Sequence, residues 1–358
     1  MLVSFSVGNY RSFSKEETFS MVASGRLAGT HDDHALPIPN SSEKVLRAAV
    51  LYGANGAGKS NLFKALRYVQ RIALKANNKN SGTRREPYSF TKNVGDPSLF
   101  DLQFIANNKL YRFGFKVNDV CITEEWLIEV IGNRERIIYE RVTDENGAVS
   151  IESKEFKSAG GKLAALVTIG GPQNQSFLST ISATLNGPDF GEELSGILGW
   201  FKKTLTMIAP EETYAPLGHE LSNDSEFLRF AGDFLKASST GVDHLIPQKT
   251  EITEDDLRSM LPKAIARRVL DSISNEEGNV GLIHLPDGNS LIVEKASENH
   301  FYKVEIQASH EITPGNSFSL DLRDESDGTR RLLDFIPALH QVRKENAVYI
   351  IDEIDRSM

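Results

Sequence analysis

Eight residues, Gly53-Ala54-Asn55-Gly56-Ala57-Gly58-Lys59-Ser60, constrain this chain more than anything else in it. They match G-x-x-x-x-G-K-S. Before them lies an apolar run, Val45 to Tyr52; after them, Leu62, Phe63, Leu66, Val69, Ile72 and Ala73 recur at helical spacing. The expected order is therefore a buried strand, a glycine-rich turn and a helix. Such a turn lets backbone N–H groups curl around phosphate oxygens without side-chain clashes, and the helix N-terminus adds positive potential. Gly53, Asn55, Gly56, Gly58 and Asn61 belong to this cradle. Lys59 would reach the β- and γ-phosphates of a nucleoside triphosphate, and Ser60 would place its hydroxyl on Mg²⁺.

A second element near the other end has the complementary chemistry. Ala347 to Ile351 is an apolar strand that ends in Asp352 and Glu353, which is how a carboxylate is delivered beside a phosphate loop. Asp352 is the metal-side candidate. Glu353 is the candidate to polarise an attacking water, since general-base work needs a carboxylate within hydrogen-bond reach. A guanine-recognition N-K-x-D motif is absent: Asn108-Lys109 continues as Leu110-Tyr111, which disfavours a GTPase.

Between these motifs the patterning changes twice. Leu2 to Val7 alternates as a strand, turns at Gly8-Asn9 and returns near Thr18 to Val22 as a hairpin. A polar, proline-punctuated connection over 77–98 leads to four alternating runs, FDLQFIA, KLYRFGFKV, EEWLIEVI and ERIIYERV, the signature of an antiparallel meander. Beyond it come helical patterns, FLSTISATL, ELSGILGWFKKTLTMI, EFLRFAGDFLKA and AIARRVLDSI, before alternation resumes at Val280 to Gln307. The expected fold is α/β: a head with a mixed sheet and a β meander, plus a helical insertion lobe. Boundaries are placed at 1–160, 161–276 and 277–358. No heptad pattern is sustained long enough for a coiled-coil arm.

Composition narrows the function classes. The chain is 40% apolar and 25% charged, ordinary for a globular protein. No apolar run approaches the roughly 18 residues that span a bilayer, so a cytoplasmic location without membrane contact is expected. Cys121 is the only cysteine, which excludes a disulfide or a cysteine-rich metal site. A formal charge of −9 gives no support for general nucleic-acid binding, and Arg84-Arg85 and Arg267-Arg268 read as short solvated pairs.

Glu325-Ser326-Asp327-Gly328-Thr329-Arg330-Arg331 precedes an amphipathic helix, with Ser326 or Asp327 as its natural N-cap; the same geometry could form a second anion site. An S-x-G helix start ahead of an hhhhDE strand, a trailing Asp355 and an upstream phosphate loop together resemble ABC ATPases of the SMC/RecF type. The stretches ESDGTRRLLDFIPAL and YIIDEIDRSM resemble in particular the AAA-fifteen group, which includes ATPase subunits of bacterial abortive-infection and anti-phage systems.

The resemblance implies ATP and Mg²⁺ as cofactors. It implies a homodimer closed by two ATPs, in which Ser326 and Gly328 of one protomer contact the γ-phosphate held by the other, with Asp355 as the D-loop residue. It also implies that Asn9, Arg11 and Ser12 of the N-terminal NYRSF lie near the nucleotide. Gln175, or else Gln173, is the candidate Q-loop glutamine that senses Mg²⁺. An effector or toxin partner is expected by the same analogy, and DNA as a sensed ligand rests on that analogy alone.

Two departures accompany the match. The signature reads SDG rather than SGG, and DEIDRSM is followed by no switch-histidine segment, since none of the eight histidines follows Glu353. A chain truncated after the D-loop is therefore expected, one better suited to binding ATP than to hydrolysing it efficiently. A regulatory ATP-binding scaffold with little turnover is the alternative to an ATPase. His310 and His340 read as structural or exposed.

Overall fold

A computed structural model describes residues 1–358 apart from 28, 30, 79–80, 91–94, 211–216, 264, 268–269, 271–279, 285–289, 298–299, 345 and 355–358. The chain forms two compact units. The first takes residues Met1–Ile208 and Asn346–Asp352, the second Ala209–Glu345 and Glu353–Met358.

The first unit is built on an antiparallel sheet whose seven strands are β1 (Leu2–Gly8), β2 (Glu17–Ser20), β5 (Ser98–Ala106), β6 (Lys109–Val117), β7 (Ile122–Ile131), β8 (Arg134–Thr143) and β9 (Val149–Glu152). They lie in the order β2-β1-β5-β6-β7-β8-β9. The strict alternation of β5 sends Phe100, Leu102 and Phe104 to one face, where they pair in register with Phe115, Phe113 and Tyr111 of β6. Against the buried aromatics pack Leu66, Val69 and Ile72 of α1 (Lys59–Leu74), and α4 (Phe177–Thr184) and α5 (Gly187–Gly199) add Phe177, Ile181, Leu194 and Ile197. Each buried Phe or Leu contributes about 1.5–3 kcal/mol relative to exposure, so this face holds the unit together. The short helices α2 (Lys154–Ala159) and α3 (Gly161–Ile169) follow β9, and a small hairpin, β3 (Ala35–Pro37) with β4 (Lys44–Leu46), stands before the glycine-rich turn.

One pair of strands runs parallel. After α5 a π-turn, Trp200–Thr204, feeds β10 (Leu205–Ile208), which pairs in parallel with β16 (Val348–Ile351), Ile208 opposite Ile351. Met207, Val348 and Ile350 pack on the main core of this unit.

Unit 2 holds α6 (Leu217–Asn223), α7 (Ser225–Ala237), α8 (Glu254–Met260) and α9 (Asp327–Lys344), with β11 (His244–Thr253), β12 (Val280–His284), β13 (Ser290–Ser297), β14 (His300–Thr313) and β15 (Asn316–Asp321). β14 is the spine of its sheet: one edge pairs with β11 from His300 to Ser309, the other first with β13 and then with β15. Leu221, Phe227, Leu235, Leu333 and Ile336 bury the helices against Val304, Ile306 and Ala308. His340 sits between the Phe227 and Phe230 rings, at 5.0 and 5.2 Å, in a packing role.

The mixed α/β architecture with a large antiparallel sheet agrees with expectation, and the four alternating runs are β5 to β8. Two local readings fail. Val45 to Tyr52 is not a buried strand: β4 ends at Leu46, and Val50, Leu51 and Tyr52 are 67%, 52% and 90% exposed. A short apolar run signals a demand for burial but not a ladder partner, and here β4 pairs only with β3. Likewise, the helical pattern read through Ile208 stops at the π-turn, and Leu205–Ile208 is strand because β16 offers it a parallel partner. The stretch 161–276, read as a helical lobe, contains α3 to α8 but also β10 and β11, and the division between the units falls inside it at Ile208. Most of AIARRVLDSI lies outside the described residues.

Candidate nucleotide site

The glycine-rich turn forms where its sequence requires. Gly56 and Gly58 have φ of 80° and 96°, backbone that L side chains rarely adopt, and the turn closes through Ala57 N–H donating to Ala54 O at 3.1 Å. α1 then begins at Lys59 with no side chain capping its N-terminus, so its first N–H groups and the positive end of the helix dipole stand at the turn. Lys59 Nζ reaches back over the loop to Gly53 O at 2.6 Å and Ala54 O at 3.2 Å. Residues 51–57 are exposed, Asn55 among them, and 58–60 are half-buried.

The parallel pair brings the distal carboxylate to the loop. Asp352 N–H donates to Ile208 O at 3.1 Å, one step beyond the β10–β16 ladder, which fixes Asp352 at the carboxyl end of both strands. Ligands of open parallel sheets bind at that end. Ser60 Oγ donates to Asp352 Oδ1 at 3.1 Å, across 292 residues of sequence. A hydroxyl and a carboxylate side by side are hard oxygen donors suited to Mg²⁺, which commonly takes one or two protein ligands and completes its shell with water and phosphate. Among the described residues no group of three or more His, Cys, Asp or Glu gathers to hold a metal by itself.

The N-terminal turn meets the same loop. Asn61 Nδ2 donates to Ser12 Oγ at 2.9 Å, and a Cβ added at Gly58 would lie 2.8 Å from that oxygen. Arg11, one residue earlier, pairs with Glu86. Gly58→Ala is therefore expected to combine backbone strain of about 1–2 kcal/mol with displacement of Ser12. Thermal unfolding alongside nucleotide titration checks it; an alanine variant with unchanged melting temperature and affinity contradicts the reading.

Other expected site residues are placed elsewhere or only locally. Gln175 is buried, but its turn is anchored far along α1. Ser176 Oγ donates to Ile72 O at 2.6 Å, and Asn77 Nδ2 to Asn174 O at 2.6 Å. Twelve residues of helix, roughly 18 Å, separate Ile72 from Ser60, so the structure does not bring Gln175 together with the metal-site pair. The reason lies in strand pairing: Gln173 O accepts from Ile122 N–H at 2.9 Å and from the Arg141 guanidinium at 3.1 Å, tying this turn to β7 and β8. Arg85, read as solvated, is buried and bonded to Asp119 Oδ1 at 2.6 Å.

Within unit 2, Ser326 caps α9: Thr329 N–H donates to Ser326 Oγ at 3.1 Å, with Ser326 exposed and Gly328 half-buried. His310 bridges to the preceding residue, Nε2 2.6 Å from Glu325 Oε1 and Nδ1 3.0 Å from Gly241 O. Glu353 is exposed, with φ of 50°, so the backbone turns sharply just after Asp352. Asp355 lies outside the described residues.

Three residues that matter to the structure were missed by sequence reading. Glu86 sits in a polar connection with no local signal. Glu125 and Arg141 did carry one: each falls in phase with buried residues of its strand, Leu127 and Tyr139, and they lie opposite each other across β7 and β8.

The sequence model of a protein family described as "AAA domain, putative AbiEii toxin, Type IV TA system" matches residues 48–162 and 174–358, which include the phosphate loop, the capped helix α9 and the Asp352 strand. The chain belongs to that family. It is a P-loop ATPase-type domain of a family linked to toxin–antitoxin and abortive-infection systems, a family other than the AAA-fifteen group that the sequence resembles. No curated protein matches the chain. Among the described residues of this AAA domain, no helix is long and apolar enough to cross a membrane.

Proposed function

We propose that this AAA domain binds ATP with Mg²⁺ at the Gly53–Ser60 loop and uses the bound nucleotide to close two copies of the chain, with hydrolysis resetting the pair. The observation that carries the reading is the Ser60–Asp352 contact, because it joins the two halves of a phosphate-and-metal site from opposite ends of the sequence. Lys59 and the N-terminus of α1 neutralise the β- and γ-phosphates. Ser60 and Asp352 hold the cation, which supplies positive charge to the phosphate oxygens when bound. Glu353, one residue on, orients and deprotonates water. The exposed Ser326 at the start of α9 is the surface offered to the γ-phosphate of a second copy, with Gly328 permitting close approach. Family membership supports a role in a toxin–antitoxin or abortive-infection system, with an effector protein as partner.

Light scattering with a non-hydrolysable ATP analogue tests the core of this. The wild-type chain is expected to shift from one copy to two with analogue and Mg²⁺. Ser326→Arg should bind the analogue and stay single, whereas Ser60→Ala should lose the magnesium dependence of binding. A wild-type chain that binds analogue yet never changes mass removes the dimer from the reading.

A further inference from the structure

The turn that follows β1 is held in a costly backbone. Asn9 and Arg11 have φ of 49° and 48°; Asn tolerates this left-handed region, whereas it disfavours a residue such as Arg11 by about 1–2 kcal/mol. Tyr10 and Phe13 exchange backbone hydrogen bonds at 3.0 and 2.8 Å, and the Tyr10 ring packs on Tyr68 and Phe100. Arg11 is held at two points by one residue: its N–H donates to Glu86 O at 2.8 Å, and its guanidinium Nη2 pairs with the Glu86 carboxylate.

Glu86 is itself delivered by a pinned segment. Thr83 O accepts from Tyr68 OH at 3.1 Å and from the Arg71 guanidinium at 2.7 Å, while Thr83 Oγ1 donates to Asn118 O. The buried Arg85 guanidinium donates to Asp119 Oδ1 at 2.6 Å and to Asp96 O at 2.5 Å. So many bonds on the residues just before Glu86 make its position a property of the scaffold. On the other side of the turn, Ser12 touches Asn61 and abuts Gly58, so the path runs from that scaffold through Glu86 and Arg11 to the phosphate loop.

We propose that Glu86 is a positioning residue for the phosphate loop: by holding Arg11 it fixes the turn that sets Ser12 against Gly58 and Asn61. The proposal rests on the nucleotide reading above. Glu86 acts through Arg11 and need not touch the nucleotide.

The sign of one substitution separates positioning from plain electrostatics. Removing a carboxylate near a polyanion site tightens binding if only its charge matters. Positioning demands the opposite. Titration of a non-hydrolysable ATP analogue is expected to give about tenfold weaker binding for Glu86→Ala, equivalent to roughly 1.4 kcal/mol. Glu86→Gln, which keeps an acceptor for Arg11, should fall between the two. In an Arg11→Ala background, Glu86→Ala should have no further effect. Unchanged or tighter binding by Glu86→Ala, or a full additional loss in the Arg11→Ala background, overturns the proposal. Should Glu86→Ala unfold, Glu86→Gln carries the same sign test, and wild-type affinity there overturns it. Failure of the wild-type chain and Lys59→Ala alike to bind the analogue is a separate outcome: it removes the nucleotide reading and the positioning role with it.

Discussion

Glu353→Gln is expected to lower steady-state ATP turnover by about a hundred- to ten-thousand-fold while leaving ATP affinity nearly unchanged, the span general-base catalysis usually supplies. Glutamine keeps the size and hydrogen-bonding oxygen of the side chain but cannot accept a proton from water. Glu353 is exposed, stands one residue beyond the carboxylate bonded to Ser60 and occupies a left-handed backbone conformation. Strain at such a position is found where surroundings dictate an orientation. Lys59→Ala is the control from the other side of the site, since it removes the ammonium that spans the loop and should abolish binding and turnover together. Equal, near-zero rates for wild type and Glu353→Gln, with binding intact in both, would sink the enzyme reading and leave a nucleotide-gated scaffold.

The second large effect concerns stability. Glu125 is fully buried; its carboxylate accepts from Tyr139 OH at 2.7 Å and from the Phe177 N–H at 2.9 Å, so it satisfies the N-terminus of α4. Arg141, opposite it, gives its terminal nitrogens to Ile122 O, Pro172 O and Gln173 O. Burial pushes the Glu125 carboxyl above its ordinary range, against the pull of Arg141 and the Tyr139 hydroxyl. Truncating one partner leaves the other buried without its counter-charge, so Glu125→Ala is expected to destabilise the fold by about 3–5 kcal/mol in chemical denaturation. Glu125→Gln, which still accepts from α4, should cost less. The double variant Glu125→Leu with Arg141→Met should recover only part of the loss: it removes both desolvation penalties but leaves the Phe177 N–H and the Tyr139 hydroxyl without the carboxylate that accepts from them. A loss below 1 kcal/mol for Glu125→Ala would show that water or a neighbour replaces the carboxylate.

Legibility in the sequence followed the range of the interactions. The Gly53–Ser60 turn and α1 are local devices, and β5 to β8 announce themselves by alternation, so these were readable without neighbours. The pairing of Ser60 with Asp352 could be anticipated because each residue type is demanded by the same chemistry. Glu86 could not: its importance comes from the pinned Thr83 and Arg85 and from a turn far away in sequence, and nothing local distinguishes it from a solvated glutamate. Gln175 went the other way, a plausible glutamine whose turn is drawn to β7 and β8 by Arg141. The misread strands share a cause, since Val50–Tyr52 and Leu205–Ile208 are both short apolar runs whose state depends on whether another strand lies alongside.

The division of unit 1 at Ile208 sets a schedule for synthesis. Its last strand, β16, follows the Ala209–Glu345 part of unit 2 in the chain, so β10 waits for its parallel partner until that part has been translated. At typical elongation rates this is a delay of roughly ten to thirty seconds, during which the nascent chain carries Lys59 and Ser60 but lacks Asp352. On the proposed function, the cation site is thus completed late on the ribosome. If Asp352 holds the cation and Ser326 meets a second copy as proposed, a newly made chain completes its cation site only after the segment bearing Ser326 exists, and the nucleotide cycle cannot start before the surface that would read it has been made.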